Sequence, residues 1–159
     1  MPKKLTIGIV LLVTVTAIVA AVHLKNQDAV ACMVISYGDQ QIDLSFDDMD
    51  NGSFSGELTN GKGDVAHHEY TGILLRALLE QKGIGLARIS RVTVTSADNY
   101  SVEFTAEEVL LADKVYVAIM ADGERIEGID PGTDGVQIIV FGDSNSRRCV
   151  RFAQKIVIE

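Results

Sequence analysis

One apolar stretch decides the fold of this chain of 159 residues: positions 70–79, with the sequence YTGILLRALL. Its apolar side chains recur at helical spacing and give the segment one wide apolar face. This pattern predicts a helix from Gly72 to Lys82. Gly83 follows directly, where a residue free to adopt positive φ is typical of a helix end.

Segments with strand character surround this helix on both sides. They alternate apolar and polar side chains or form short apolar runs. Thr105 with Glu108 has the spacing of a capping box and predicts a second short helix. More strand than helix, in mixed order, predicts an α+β, β-rich domain with two short helices. The strands are expected at 32–36, 41–46, 53–59, 64–70, 91–96, 114–120, 135–141, 148–152 and 155–158.

An apolar run precedes this domain. Residues 5–24 read LTIGIVLLVTVTAIVAAVHL, carry no formal charge and follow Lys3 and Lys4. At about 1.5 Å per residue, a helix of this length matches a hydrocarbon core of about 30 Å. The run therefore predicts one transmembrane helix, with the lysines on the cytoplasmic side and the domain extracytoplasmic.

The residues leave two fates open for this leader. As an uncleaved anchor over residues 1–28, it makes the chain a single-pass protein of the cell membrane, with the domain at 29–159. Ala29-Val30-Ala31 has the small-x-small form of a signal peptidase site, and cleavage there would release a secreted protein. The apolar run is longer than the usual signal core of about 7–15 residues, which favours the anchor.

Composition narrows the classes of function. The chain is 47% hydrophobic with a mean hydropathy of +0.21, too apolar for a disordered protein. It carries 14 basic against 22 acidic residues, a formal net charge of −8. A general nucleic-acid binder needs a cationic face, so this charge argues against nucleic acid as a partner.

Two segments carry residues suited to ligand binding. Gly56 and Gly61-Lys62 have the spacing of a phosphate loop, but Gly63 stands where a magnesium-binding hydroxyl is needed and no helix is expected next. His67-His68-Glu69 has metal-ligand types, yet neighbours in a strand point to opposite faces. Only one of these imidazoles could face a cleft, together with Glu69 or an acid from elsewhere.

The one dense cationic cluster of the domain lies near its C-terminus, at Arg147, Arg148 and Arg151. Arginine forks suit phosphate or carboxylate groups, so the cluster is a candidate anion site; a solvated strand edge is the alternative.

Cys149 stands among these cations, which would lower the pKa of a thiol. The alternation there also suits a strand with Cys149 pointing inward as a small apolar filler, and we favour the filler.

The order of the segments carries a family resemblance. The motifs are GELTNGKG (56–63), YTGILLRALL (70–79), VTVTSADNY (92–100), a strand running into Asp122-Gly123-Glu124, and a loop with Pro131 before the apolar 136–141. With the C-terminal strand ending in Ile156-Val157-Ile158, they cover residues 33–159. This region resembles the oxidoreductase molybdopterin-binding domain, the fold shared by sulfite oxidases and their small bacterial relatives.

The resemblance implies molybdopterin as a cofactor but transfers no metal ligand. Enzymes of this kind bind molybdenum through a cysteine in a loop before the helix. The corresponding residues, Leu58 to Gly61, include no cysteine, and neither Cys32 nor Cys149 stands at that position. A hydroxyl or amide does not replace a thiolate as a soft metal ligand.

We therefore expect a membrane-tethered, non-catalytic domain that binds a small anionic ligand or a membrane protein partner. The alternatives are a molybdopterin-dependent oxidoreductase subunit and a structural module of a membrane assembly. Polar residues on loops and strand ends are the candidate ligand-binding residues. They are Asn60, Lys62, His67, His68, Asn99, Tyr100, Arg147 and Arg148.

Overall fold

The computed structural model describes residues 32–50 and 52–159, which form ten strands and two α-helices. The helices are α1 (Leu75–Gln81) and α2 (Ala106–Leu110). The described part of the chain is thus β-rich and of the mixed α+β class, as predicted. In chain order the strands are β1 (Met33–Tyr37), β2 (Gln40–Leu44), β3 (Ser53–Thr59), β4 (Val65–Leu74), β5 (Arg91–Ser96), β6 (Ser101–Thr105), β7 (Val115–Ala121), β8 (Glu124–Arg125), β9 (Gln137–Val140) and β10 (Ala153–Ile158).

The strands make two sheets. The first has the order β2-β1-β10-β5-β6, in which β1 and β10 run parallel and the other neighbours antiparallel. The second has the order β3-β4-β7. There β8 and β9 pair with the two ends of β7, on the edge that β4 leaves free. The second sheet carries the candidate site.

The main apolar core takes its side chains from both sheets and both helices. Strand alternation supplies much of it, because every second residue of β1, β5 and β6 points inward. Helix α1 contributes Leu75, Leu78 and Leu79, all fully buried. Its Gly83 adopts φ +74° and ends the helix where the sequence predicts.

Helix α1 starts later than predicted. Gly72, Ile73 and Leu74 continue strand β4 and pair with β7, and the helix begins at Leu75. The predicted start at Gly72 is therefore wrong. The side chains of these three residues do fit helical spacing, but their backbone pairs with β7 residues more than 40 positions away in sequence.

Other local signals are confirmed. Strands β3 and β5 have the predicted bounds, and the Thr105–Glu108 capping box forms with both of its hydrogen bonds. The segment after the phosphate-loop spacing is strand β4 and not a helix, which supports the rejection of that motif.

Strand β6 was not predicted, although Val102 and Phe104 alternate with polar residues. The predicted strand at 148–152 is wrong, since Ser146–Arg148 is a 3₁₀ turn followed by a single bridge from Val150.

The predicted leader, residues 1–28, and its apolar run at 5–24 lie outside the described residues. Within residues 32–50 and 52–159, no helix has both the length and the apolar character needed to span a bilayer.

Candidate functional site

An open cleft with a volume of about 500 Å³ lies on the outer face of the second sheet, the face opposite the main core. Hairpin β3–β4 forms one wall, and the segment 146–151 forms the other. The end of β7 and the start of β9 supply the remaining lining. The residues that line the cleft are Leu58, Asn60, Asp64, Ala66, His68, Tyr70, Ala121, Asp122, Gln137, Ser146, Cys149 and Arg151.

An aromatic cluster borders the cleft on the same face of the sheet. Phe54 stacks on Tyr116 with ring centroids 4.1 Å apart and on Tyr70 at 5.4 Å. Phe141 packs edge-on against Tyr116 and covers Gly56. Burial raises the pKa of the Tyr70 hydroxyl to about 12, so the phenol that faces the cleft is neutral. Of this cluster Tyr70 lines the cleft, where it forms an apolar side together with Leu58, Ala66 and Ala121.

The turn of hairpin β3–β4 is held by Asn60. Its Oδ1 accepts hydrogen bonds from the amides of Lys62 (2.8 Å) and Asp64 (3.0 Å), and its Nδ2 donates to the Asp64 carboxylate at 2.9 Å. An Asn side chain that bonds to the backbone two residues ahead is typical of tight turns. Asn60 therefore shapes the rim of the cleft and already uses most of its bonding capacity.

His68 and Asp122 form a hydrogen-bonded pair in the cleft. His68 Nδ1 lies 2.7 Å from Asp122 Oδ2, and Asp122 Oδ1 accepts from the Glu69 amide at 3.0 Å. The bond from the Glu69 amide and that from His68 hold the pKa of the Asp122 carboxyl below its usual range. Asp122 thus orients the imidazole through Nδ1, which leaves Nε2 available to a ligand.

The second wall of the cleft is anchored by an ion-pair cluster around Arg148. Its guanidinium makes a bidentate pair with Glu108 (2.7 and 3.0 Å) and also contacts Asp143 at 3.3 Å. The guanidinium stacks over the ring of Phe104 at 4.8 Å. Arg148 holds the pKa of Glu108 at about 2, so this carboxylate stays charged at neutral pH. These contacts fix the segment that carries Ser146, Cys149 and Arg151.

Cys149 and Arg151 project from that wall. The Cys149 sulfur accepts a hydrogen bond from the Val140 amide at 3.4 Å, and burial raises the pKa of its thiol. This environment agrees with the filler interpretation, because the thiol packs against the core and its pKa is raised, not lowered. Arg151 stacks over Phe152, and no carboxylate of the described residues pairs with it. Among the described residues its guanidinium is therefore an unpaired cation at the rim of the cleft.

The structure separates the eight candidate residues into groups. Asn60 and His68 line the cleft, whereas Lys62 lies exposed in the hairpin turn. His67 is exposed and does not line it, as the alternation of a strand requires. The remaining four do not line the cleft. Asn99 lies in a turn at φ +67°, and the Tyr100 hydroxyl donates to the Arg147 carbonyl at 2.6 Å. The Arg147 side chain is exposed, and Arg148 belongs to the ion-pair cluster with Glu108.

Several lining residues were not among the predicted ones. Asp122 is not among the predicted ligand-binding residues, yet it is the acid from another segment that pairs with His68. Asp122 directly follows the apolar strand β7, and this position could have identified it from the sequence, because binding residues often lie in the loops at strand ends. Tyr70, Gln137 and Ser146 gave no such signal, since only the folded sheet brings them together.

Comparison with solved structures finds a protein of similar fold. The chain superposes on the sulfane dehydrogenase SoxCD from Paracoccus pantotrophus with a TM-score of 0.62 and 18% sequence identity. The match covers 79% of this chain and 37% of that one, so this chain spans little more than a third of its neighbour. At this identity the likeness shows the fold alone, and it supports the predicted fold. Comparisons with protein-family models and with curated proteins find no match.

The donor chemistry of the cleft does not fit a cysteine-ligated molybdenum. Residues 58–61, which the resemblance places at the metal-ligand loop, belong to strand β3 and the following turn and offer no sulfur. The one thiol of the cleft, Cys149, has a raised pKa and is bonded to the backbone. Among residues 32–50 and 52–159, no group of three or more His, Cys, Asp or Glu side chains is placed to hold a metal ion.

Proposed function

We propose that this domain is a non-catalytic binding module that holds a small organic anion in the cleft. The ligand has an apolar body and one carboxylate or phosphate group. The observation that carries this proposal is the pairing, in one cleft, of an apolar side that includes Leu58 and Tyr70 with a guanidinium that no carboxylate of the described residues pairs with. Pockets of this kind use apolar lining for affinity and a few polar groups for orientation.

The unpaired groups of the described lining, and not its net charge, favour an anion over a cation. The two acids, Asp64 and Asp122, are already engaged with Asn60 and His68. Because His68 Nδ1 donates to Asp122, the Nε2 of a neutral imidazole is an acceptor, so Arg151 is the cationic donor of the described lining that remains for an anion. A guanidinium fork matches a carboxylate or phosphate group in two parallel hydrogen bonds.

Probe molecules test this assignment. Benzoate and phenyl phosphate combine a ring with an anion, whereas phenol lacks the charge and inorganic phosphate lacks the ring. In thermal-shift titrations of the full chain, we expect the two combined probes to raise the unfolding temperature more than either partial probe. Arg151→Gln should weaken their binding by roughly tenfold to a hundredfold, because a hydrogen bond to a charged group contributes about 1.5–3 kcal/mol.

Arg147→Gln is the matched control for this experiment. It removes the same charge from the same segment, but Arg147 does not line the cleft. Equal losses in the two variants would indicate a general charge effect and contradict the proposed site. Binding of inorganic phosphate as tight as that of phenyl phosphate would contradict the role of the apolar side.

A molybdopterin-dependent oxidoreductase subunit is the second candidate, and the likeness to sulfane dehydrogenase favours it. Elemental analysis of the full chain, produced in a host that synthesises the cofactor, separates the two functions. We expect far less than one molybdenum atom per chain, because the cleft lacks a suitable sulfur ligand. One atom per chain would overturn the non-catalytic assignment.

The proposal places the domain outside the cytoplasm, tethered to the membrane through residues 5–24. The apolar run and its leading lysines support this placement. The mass of the mature protein distinguishes an anchor, which is retained, from a signal segment cleaved after Ala31.

A further inference from the structure

Strand β3 has an open edge. It is the outermost strand of the second sheet, and no other described strand pairs with its free side. At seven residues it is the longest of the edge strands within residues 32–50 and 52–159. Its seven residues pair with β4 in one continuous register without a bulge. Such an edge is a template for another strand.

The hydrogen bonds at the two ends of the β3–β4 ladder identify which backbone groups are free. The Asn60 amide donates to the Asp64 carbonyl, and the Gly72 amide donates to the Gly52 carbonyl. Because hydrogen-bonded pairs recur at every second residue of an antiparallel ladder, the even-numbered residues of β3 bond to β4. The N–H and C=O groups of its odd-numbered residues point to the open side: Ser53, Ser55, Glu57 and Thr59.

The side chains of β3 do not protect this edge. Natural proteins block exposed edges with lysine, proline, bulges or very short strands. The sequence SFSGELT contains neither lysine nor proline, and Glu57 is its one charged residue. The even-numbered side chains Phe54 and Leu58 join the aromatic face, so an added strand would extend an apolar surface that already exists.

We infer that β3 pairs antiparallel with β3 of a second copy of this chain, across a twofold axis at Gly56. This register places the four free residues opposite one another in hydrogen-bonded pairs, Ser53 with Thr59 and Ser55 with Glu57. On the aromatic face Phe54 lies opposite Leu58 of the other copy, and the two Gly56 residues meet at the axis without side chains. Each Glu57 faces a serine, so no two carboxylates are directly opposed.

Charge substitutions at Ser55 test both the pairing and its register. In the dimer, position 55 of each copy faces Glu57 of the other copy. Ser55→Glu therefore creates two pairs of opposed carboxylates, whereas Ser55→Lys creates two pairs of opposite charge. By sedimentation velocity of the full chain over a range of concentrations, we expect a reversible wild-type dimer. Ser55→Glu should weaken it about tenfold and Ser55→Lys should strengthen it. The double variant Ser55→Glu/Glu57→Lys should restore the wild-type affinity.

Residues 1–31 are identical in all four proteins, so a difference among them is due to β3. The unfolding temperature of each variant verifies that the domain is folded. Hydrogen exchange gives an independent readout, because the amides of Ser53, Ser55, Glu57 and Thr59 should become protected as the concentration rises.

Three results would overturn the inference. A wild-type chain that is monomeric at all concentrations would mean that this edge is covered within the chain or by a different partner. Equal weakening by Ser55→Glu and Ser55→Lys would exclude this register. A dimer in which these four amides exchange independently of concentration would place the interface elsewhere.

Discussion

Gly72→Ala should lower the free energy of unfolding by at least about 4 kcal/mol, a large share of the roughly 5–15 kcal/mol that stabilises an ordinary domain. A Cβ at this position would lie 2.0 Å from the Val117 carbonyl oxygen and 2.8 Å from the Cα of Ala118. Both atoms belong to the backbone of β7 and cannot rotate away. The substitution would therefore separate β4 from β7 at the centre of the second sheet.

Gly61→Ala is the control for this substitution. Gly61 lies in the exposed turn between β3 and β4, and no atom lies within 4 Å of its added Cβ. We expect its free energy of unfolding to change by less than about 1 kcal/mol. Urea unfolding followed by circular dichroism measures both variants. A Gly72→Ala protein within about 1 kcal/mol of the wild type would contradict the close approach of the two strands.

Arg148→Met should destabilise the domain by about 2–3 kcal/mol, somewhat less than the cost of breaking a fully buried ion pair, because the side chain is 31% exposed. The substitution removes the bidentate pair with Glu108, the contact with Asp143 and the guanidinium stacked on Phe104. It leaves Lys114 as the remaining cation near the two carboxylates. The wall of the cleft should loosen with it, so probe binding should fall as well.

The neighbouring Arg147→Met separates this effect from a simple loss of charge. Arg147 is exposed, and its ordered contacts run through its backbone, so its loss should change the stability by less than about 0.5 kcal/mol. Chemical denaturation of the two variants at neutral pH compares them directly. Equal destabilisation would show that the Arg148 cluster contributes nothing specific.

The Glu108–Arg148 pair also predicts how stability depends on pH. The pair lowers the pKa of Glu108 from 4.5 to about 2, so the charged carboxylate favours the folded state. This contribution is complete above pH 4.5 and is lost as the pH falls through the folded pKa. The stability difference between the wild type and Glu108→Gln should therefore shrink from pH 4.5 towards pH 2. A difference that stays constant over this range would contradict the pairing.

Much of the candidate site could not be predicted from the sequence. Asn60 and His68 were predicted because a polar residue at a turn or strand end is visible in the sequence itself. Asp122 is 54 residues from His68, and their contact depends on β4 and β7 being neighbours. Arg148 was expected in the site as an anion-binding group, but the fold brings Glu108 and Asp143 to it and uses its charge in a structural cluster.

The sequence by itself determined the features that depend on residues a few positions apart. These are the alternation of β5, the capping box at Thr105 and the helix end at Gly83, since each follows from local backbone bonding. Only the tertiary structure decided whether Gly72 to Leu74 would be helix or strand. Their spacing satisfies a helix, but all three residues pair with β7, the Gly72 amide bonds to the Gly52 carbonyl, and the absent Cβ of Gly72 allows β7 to approach. Pairing between distant segments is a property of the folded chain, so it outweighs a local preference of a few tenths of a kcal/mol per residue.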